Sequence, residues 1–274
     1  MEIIKNTLSV GAEKPFVLLH ISDIHLSESD GNDSPERKAF AEARKRGFSF
    51  APNAVEFVKE YVQKNKYPII NTGDMLDFIT PENLRIAKDL LKSTDMMFVA
   101  GNHEYWHCPN NRFHYDDVFS TYEKKNESLA FVSDQLGTDV RFFHREICGV
   151  NLVGIDDSDY CIDTEIFEKL KDIEAQEKPI LLFMHIPLYS DHIGKGAKSS
   201  LNAPQHFFEN CNPVDAWERR PDALTCEICD HIRSSPFIKC VLSGHIHRNA
   251  EILGLDAKDQ LITGCNTIRE IKIL

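Results

Sequence analysis

The sequence predicts an α/β (α+β) fold in which buried strands alternate with helices. Short apolar runs have the length and the continuous pattern of strands that are covered on both faces. Each run is followed directly by polar residues, and several are then followed by apolar residues at helical spacing. The strands of this kind lie at 16–21, 68–71, 96–100, 180–184 and 237–242. Because ligands of α/β sheets gather at the carboxyl ends of strands, we expect these polar residues to meet.

The remaining elements follow from the same periodicities. Helices are predicted at 54–62, 81–91, 113–125, 164–174 and 223–233, with Pro81 in a first turn and Thr164 near an N-cap. Further strands are predicted at 140–145, 150–155, 251–255, 260–263 and 268–273. With no internal repeat or linker, residues 1–274 are expected to form a single domain with insertions near 27–50, 105–135 and 187–220.

Composition narrows the classes of function. The 274-residue chain carries a net charge of −12, which argues against a general nucleic-acid or anionic-membrane binder. Its eight cysteines follow an N-terminus with neither a basic region nor a long apolar region, and its apolar runs are too short to cross a bilayer. We therefore expect a cytoplasmic protein with reduced thiols, with export by an unusual route as the alternative.

Five short polar blocks follow the predicted strands, and each offers oxygen or imidazole ligands. They are Asp23-x-His25, Gly73-Asp74-x-x-Asp77, Gly101-Asn102-His103-Glu104, His185, and Gly244-His245-x-His247. Imidazole and carboxylate together suit Fe, Mn, Zn, Co or Ni, and the glycines allow sharp turns near a site. One carboxylate can bridge two ions that lie roughly 3.5–4 Å apart, and Asp74 is the candidate for that place.

In this order the five blocks resemble the calcineurin-like metallophosphoesterases, and the resemblance spans residues 23 to 247. It implies a four-layer β-sandwich flanked by helices, metallo-dependent phosphatase-like, whose loops converge on a dimetal centre. It also implies two divalent or mixed-valence transition metal ions, with Mn, Fe or Zn as the candidates. The resemblance assigns Asp23, His25 and His247 to one ion, Asn102, His185 and His245 to the other, and Asp74 to both.

The same resemblance implies a mechanism. His103 would protonate the leaving alkoxide, Asp77 would orient His103, and a hydroxide between the ions would attack phosphorus in line. The expected substrate is a small phosphorylated compound. Phosphoprotein phosphatases carry Arg-Gly after the second Asp and Arg before the Gly-Asn block, where this chain has Phe78-Ile79 and Ala100. Purple acid phosphatases carry Tyr at the place of Asp77, so iron–tyrosinate chemistry is not expected.

Several functions stay open beside a general phosphoesterase. They are a cyclic-nucleotide or other phosphodiesterase, a binding scaffold that lost the chemistry, and a nuclease, which the acidic net charge disfavours. The basic stretch 37–46 reads as a solvated helix face or as a cap over the substrate phosphate. Tyr105 and Trp106 either pack beneath the neighbouring loop or stack on an aromatic group of the substrate. His192 and His206 are either exposed to solvent or in contact with substrate. Cys226 and Cys229 read as two semi-buried thiols, with a small zinc site including Cys211 as the alternative.

Overall fold

Two mixed β-sheets lie at the centre of the molecule. The computed structural model describes residues 1–106, 122–204, 221–255 and 258–274. The first sheet has the order β1-β11-β2-β3-β4 and contains β1 (Glu2–Leu8), β2 (Phe16–Ile21), β3 (Ile69–Asn71), β4 (Met97–Phe98) and β11 (Thr267–Ile273). The second has the order β5-β6-β7-β8-β10-β9 and contains β5 (Phe142–Ile147), β6 (Val150–Ile155), β7 (Ile180–Phe183), β8 (Ile238–Ser243), β9 (Ala250–Ile252) and β10 (Gln260–Ile262).

The central strands of both sheets run parallel. In the first sheet β2, β3 and β4 are parallel neighbours, and β11 joins β2 in the antiparallel direction. In the second sheet β6, β7, β8 and β10 are parallel, while β5 and β9 flank them in the antiparallel direction. Parallel neighbours end at the same edge, so the residues after β2, β3 and β4, and those after β7 and β8, are brought together.

The facing surfaces of the two sheets form one apolar core. Leu18, Ile70 and Met97 from the first sheet pack with Leu181 and Phe183 from the second, and all five are buried. This burial explains why the strands read as continuous apolar runs, because neither face of a central strand meets water.

Helices cover the outer face of each sheet. Against the first sheet pack α2 (Ala51–Asn65), α3 (Pro81–Thr94) and α4 (Tyr122–Leu136), through one shared apolar cluster. Against the second pack α5 (Thr164–Glu174) and α6 (Ala223–Ser234). The result is the four-layer helix–sheet–sheet–helix arrangement that the family resemblance implies, and this prediction is confirmed. None of the helices in the described ranges combines the length and the apolar character that crossing a bilayer requires.

Local sequence signals explain where helices begin. The Thr80 hydroxyl accepts the Asn83 N–H at 3.1 Å, and Pro81 occupies the first turn of α3, where its missing N–H costs nothing. The Asp222 carboxylate accepts the Thr225 N–H at 2.7 Å at the start of α6. At α5 the N-cap is Asp163, one residue before the Thr164 that the sequence indicated.

The structure differs from the sequence prediction at several elements. The sequence did not predict β1, and it indicated α1 (Pro35–Lys45) only through the reading of the basic stretch 37–46 as a solvated helix face. The helix predicted at 113–125 has residues 113–121 outside the described ranges, and its predicted end is wrong because α4 continues to Leu136. The predicted strand at 251–255 is shorter and is Ala250–Ile252. Residues 187–204 contain a short 3-10 segment at Asp191–Ser199, and residues 205–220 lie outside the described ranges.

Candidate metal centre

The predicted ligands lie at the carboxyl ends of the parallel strands, as expected. In the first sheet, Asp23 and His25 follow β2, Asp74 follows β3, and Asn102 follows β4. In the second sheet, His185 follows β7, and His245 and His247 follow β8. Both sheets therefore contribute side chains to one place, and the structure brings all of the predicted ligands together.

The first group contains Asp23, His25, Asp74 and His247. Each offers one ligand atom, and these atoms all lie within 4.8 Å of one another. The Nε2 atoms of His25 and His247 are 3.0 Å apart. The His247 Nε2 lies 3.4 Å from Asp23 Oδ1, and the His25 Nε2 lies 3.5 Å from Asp74 Oδ2. Such a set of converging nitrogen and oxygen atoms could hold one transition metal ion.

The second group contains Asp74, His185 and His245, with the Asn102 side chain beside them. The His185 Nε2 is 3.3 Å from Asp74 Oδ2 and 3.1 Å from Asn102 Oδ1. The His245 Nδ1 is 3.1 Å from both Asn102 Oδ1 and the His185 Nε2. This group could hold a second ion with two imidazoles, one carboxylate and one amide oxygen.

Asp74 belongs to both groups through a single oxygen. Its Oδ2 lies 3.5 Å from the His25 Nε2 and 3.3 Å from the His185 Nε2. Its Oδ1 accepts the backbone N–H of His103 at 2.9 Å, which fixes the plane of the carboxylate. One oxygen is therefore anchored to the protein while the other faces the space between the two groups.

The histidine rings are oriented by their other nitrogens. The His25 Nδ1–H donates to Asp77 Oδ1 at 3.0 Å, and the His185 Nδ1–H donates to the Thr72 carbonyl at 2.7 Å. The His245 Nε2 lies 2.7 Å from the Tyr160 hydroxyl. Since a partner on one ring nitrogen sets which nitrogen carries the lone pair, these bonds turn Nε2 of His25 and His185 and Nδ1 of His245 inward.

His103 lies beside the first group and is held by Asp77. Its Nδ1–H donates to the backbone carbonyl of Asp77 at 2.8 Å, and the Asp77 Oδ1 is farther away at 3.3 Å. The Trp106 ring lies against the imidazole, with ring centroids 4.0 Å apart. Asp77 therefore contacts His103 as the family resemblance implies, but the shorter hydrogen bond comes from its main chain.

Five of the predicted ligands have a left-handed backbone conformation. The φ angles are positive at Asp23 (55°), His25 (54°), Asp74 (52°), His245 (68°) and His247 (54°). Positive φ is uncommon for residues other than glycine and costs of order 1–3 kcal/mol at each position. Such strain persists only where the surrounding structure imposes it, and it is typical of functional sites.

A buried carboxylate, Glu104, joins two of the loops. It accepts the backbone N–H groups of Gly101 at 2.6 Å, Asp74 at 2.8 Å and Leu76 at 2.9 Å. Gly73 has φ of 95°, and a Cβ there would lie 2.5 Å from the Gly101 nitrogen. The glycines are needed because the two loops touch through their backbones, and Glu104 supplies the acceptors for their N–H groups.

The electrostatic field of the site favours positive charge. Burial alone would lower the pKa of His185 and His25, but the Asp74 carboxylate raises the pKa of His185 to about 10, and the carboxylates of Asp23 and Asp77 raise the pKa of His25 to about 9. Burial and the neighbouring charged His185 lower the pKa of His245 to about 3. Burial opposes ionisation of Asp74, yet the surrounding histidines hold its pKa well below the usual range.

The residues present fit a metal ion. Asp23 Oδ1 is buried and has no hydrogen-bond partner among the described residues, although an ionised oxygen in such a place needs one. The same oxygen lies in the first group, 3.4 Å from the His247 Nε2. A cation between these atoms would satisfy them together. Nitrogen and oxygen donors without sulfur suit Mn, Fe or Zn and not a purely structural zinc site.

Sequence reasoning missed several residues that support the site. Asp157 follows β6 and accepts the N–H groups of His185 at 2.8 Å and Ile186 at 2.9 Å. Its position after an apolar strand is the same signal that marked the other blocks. Phe48 stacks on the His25 ring, with centroids 4.0 Å apart and planes 14° apart. Arg44 reaches Asp77 from α1, and no local pattern distinguishes it from the other basic residues of that stretch.

The secondary candidates have mostly structural surroundings. Tyr105 is buried in the core beside the first sheet, and its hydroxyl donates to the Ser158 carbonyl at 3.3 Å. Cys229 is buried and Cys226 is half-buried, and burial raises the pKa of both thiols, which agrees with two semi-buried thiols. His192 is exposed. His206 and Cys211 lie outside the described ranges.

The layered fold and the clustered histidines and carboxylates define the class as a metal-binding α/β protein of the metallo-dependent phosphatase type. The model of the calcineurin-like phosphoesterase family matches residues 16–249. The chain therefore belongs to the calcineurin-like phosphoesterase family. The matched range contains every predicted ligand, together with His103 and Asp77.

Solved structures of similar fold include a dimetal phosphatase from Danio rerio. That likeness has a TM-score of 0.50 and 12% identity and covers 91% of this chain and 87% of that one, so it shows the fold. A phosphopantetheinyl hydrolase from Mycobacterium tuberculosis has a TM-score of 0.47 and 14% sequence identity, and the match covers 91% of this chain and 89% of that one. A purple acid phosphatase from yellow lupin has a TM-score of 0.47 and 12% sequence identity, and the match covers 94% of this chain and 45% of the plant protein. No curated protein sequence matches significantly.

Proposed function

We propose that this protein is a dimetal-dependent hydrolase of phosphate esters. The observation that carries the proposal is the position of Asp74 Oδ2, which lies between the His25 Nε2 at 3.5 Å and the His185 Nε2 at 3.3 Å. A single carboxylate oxygen in that place suits two ions held close together, as phosphoryl-transfer sites with paired metals require. The family and the ligand groups support this assignment.

The ligands would divide between two ions, with Asp74 available to both. Asp23, His25 and His247 would hold the first, and Asn102, His185 and His245 the second. When bound, such ions lower the pKa of water and stabilise negative charge on attacking and leaving oxygens. The chain contributes by fixing the rings through Asp77 and Thr72, so that their free nitrogens face the ions before substrate arrives.

His103 is the proposed general acid. Its Nδ1–H is engaged by the Asp77 carbonyl at 2.8 Å, so Nε2 is the atom that gives a proton to the leaving oxygen. The imidazole is buried beside the first group, and the Trp106 ring limits its rotation. A positioned acid of this kind contributes typically about 10²–10⁴-fold to the rate.

The proposed substrate is a small phosphorylated compound, cleaved in the cytoplasm. Ala100 and Phe78-Ile79 stand where protein phosphatases carry arginine, which argues against a phosphoprotein substrate. Monoesters and diesters both fall within the proposal, and cyclic nucleotides are one class of diester. The stretch 27–50, which supplies Arg44 and Phe48 to the site, is a candidate determinant of this choice.

The test is hydrolysis of p-nitrophenyl phosphate and bis(p-nitrophenyl) phosphate by protein loaded with Mn, Zn, Fe or Mg. We expect metal-dependent release of nitrophenol that Asp74→Asn abolishes. Faster cleavage of the diester would direct the search to cyclic nucleotides, and faster cleavage of the monoester to phosphorylated metabolites.

His103→Ala tests the mechanism. We expect it to bind metal as the wild type does and to lose about 10²–10⁴-fold in turnover of an alkyl ester. The control is His192→Ala, which changes an exposed histidine outside the site and should leave turnover unaltered. Two bound ions with no activity on any ester would favour the binding scaffold, and unchanged turnover in His103→Ala would remove this residue from the mechanism.

A further inference from the structure

Arg44, in the last turn of α1, reaches into the candidate metal centre. Its Nε donates to Asp77 Oδ2 and its Nη2 to Asp77 Oδ1, both at 2.5 Å. This is the bidentate geometry in which a guanidinium fixes the plane of a carboxylate. The Asp77 side chain is fully buried, while that of Arg44 is 33% exposed.

The carboxylate that Arg44 holds is shared by groups of the site. Asp77 Oδ1 accepts the His25 Nδ1–H at 3.0 Å and lies 3.3 Å from the His103 Nδ1. Asp77 Oδ2 accepts the Ser27 hydroxyl at 3.0 Å. One carboxylate therefore meets both a predicted metal ligand and the proposed general acid, and its rotation would release the His25 ring and move negative charge away from His103.

Arg44 also contacts the aromatic cover of the site. Its guanidinium carbon lies 5.2 Å from the centre of the Phe48 ring, and that ring stacks on His25 at 4.0 Å. Arg44 thus restricts the rotation of the His25 ring in two ways, through Asp77 at Nδ1 and through Phe48 at the ring face.

We propose that Arg44 is a positioning residue of the hydrolase, a role that rests on the proposed function. It locks the Asp77 carboxylate so that His25 presents Nε2 to the first ion, and so that the carboxylate charge stays 3.3 Å from the His103 Nδ1. The fork formed by Nε and Nη2 is directed at Asp77 rather than at the substrate side. The basic stretch of α1 therefore acts on the chemistry through one internal ion pair.

The variants are Arg44→Ala, Arg44→Lys and, as matched control, Arg37→Ala. Arg37 lies on the same helix and pairs with Asp33 at 3.1 Å, away from the site. Arg44→Lys keeps the charge and guards against a variant that fails to fold, but it cannot reproduce the two-point contact. Loss of a hydrogen-bond partner of a metal ligand typically costs 10–100-fold in activity.

In kinetics with an alkyl phosphate ester, we expect Arg44→Ala to lose about 10–100-fold in kcat with KM within about twofold. Arg44→Lys should fall between this variant and the wild type. Added methylguanidinium should restore part of kcat in Arg44→Ala and nothing in His103→Ala. A raised KM with unchanged kcat would overturn the proposal, because Arg44 would then hold substrate, and unchanged kinetics would overturn it as well.

A second readout does not depend on turnover. In zinc-loaded protein labelled with ¹⁵N-histidine, the Nδ1–H signals of His25 and His103 should be protected from solvent exchange in the wild type and in Arg37→Ala. Arg44→Ala should lose the His25 signal to exchange, because the Asp77 carboxylate is no longer fixed, whereas the His103 Nδ1–H keeps its hydrogen bond to the Asp77 carbonyl. A His25 signal that persists in Arg44→Ala would overturn the positioning role. If the wild type cleaved no ester, the proposed function would fail while this measurement still decided the role of Arg44.

Discussion

The Nε2 atoms of His25 and His247 lie 3.0 Å apart, although the two residues are separated by 222 positions in the chain. The His25 Nδ1–H already donates to Asp77, so the lone pair of its Nε2 faces the His247 Nε2. A cation between the two nitrogens resolves this contact. The pair therefore gives the most direct test of the first ion.

His247→Ala should weaken binding of one ion and spare the other. We expect a loss at least as large as that of removing a partner of a ligand, about 10–100-fold in Mn²⁺ affinity, measured by equilibrium dialysis. The second group does not contain His247, so one tight ion should remain. His192→Ala serves as the control, and equal retention of both ions in His247→Ala would contradict the assignment.

Gly101→Ala should damage the site at the contact of two loops. A Cβ at this position would lie 2.5 Å from the Asp74 nitrogen, so the backbone that carries the shared ligand must move. Overpacking of this kind typically lowers the free energy of unfolding by about 1–3 kcal/mol, and we also expect ester hydrolysis to be lost. The control is Gly31→Ala, because nothing lies within 4 Å of its added Cβ. A Gly101→Ala variant with the free energy of unfolding and the turnover of the wild type would refute this expectation.

Arg269→Met should destabilise the whole fold. The Arg269 side chain is fully buried and donates to the Glu251 carboxylate at 2.8 Å, the Ile262 carbonyl at 2.9 Å and the Thr263 hydroxyl at 3.1 Å. The Glu251 carboxylate is exposed, but removal of Arg269 takes the donor from the buried Ile262 carbonyl, and an unsatisfied buried group costs about 1–3 kcal/mol in the free energy of unfolding, to be measured with urea. Lys272→Met removes an exposed charge from the same strand and should change the free energy of unfolding little. Similar losses in both variants would show that burial of Arg269 is not the cause.

His20 should make the protein sensitive to acid. It is buried between the hydroxyls of Thr72 and Thr263, and burial, helped by the charge of Arg269, lowers its pKa from 6.5 to about 3. Between these values the unfolded chain binds a proton that the folded chain does not, so stability falls as pH falls through this window. At pH 4.5 the loss from His20 is about 3 kcal/mol, at about 1.4 kcal/mol per pH unit.

The measurement for His20 is urea unfolding of the wild type and His20→Gln at pH 7 and pH 4.5, with chelator present. We expect His20→Gln to lose less stability between the two pH values, by about 3 kcal/mol. His192→Gln should follow the wild type because His192 is exposed. A wild type and a His20→Gln variant with the same pH dependence would exclude His20 as the source.

Much of the centre could be predicted because its ligands follow strands. The residues after β2, β3, β4, β7 and β8 are polar, and the preceding residues are buried on both faces, so sequence alone gives both the strand and its end. Asp157 has the same signal after β6. It was missed because it supports His185 and Ile186 through their backbone N–H groups and belongs to none of the five blocks.

Other features could not be predicted because they depend on long-range packing. β1 alternates between exposed and half-buried residues at the edge of a sheet, and its partner β11 comes from the opposite end of the chain. Arg269 lies in a strand of mixed polarity and reads as a surface residue. The ion pair of Arg44 with Asp77 spans 33 positions, and only the path of α1 selects this arginine among its basic neighbours.

The division of the ligands between two sheets has a consequence for the order in which the protein matures during synthesis. Asp23, Asp74 and Asn102 leave the ribosome early, whereas His245 and His247 emerge near residue 247, and each ion group draws from both ends of that interval. A nascent chain lacking the strand Ile238–Ser243 and its loop has no complete group. Neither candidate metal group can therefore assemble in full before the last of the ligand-bearing loops has been synthesised.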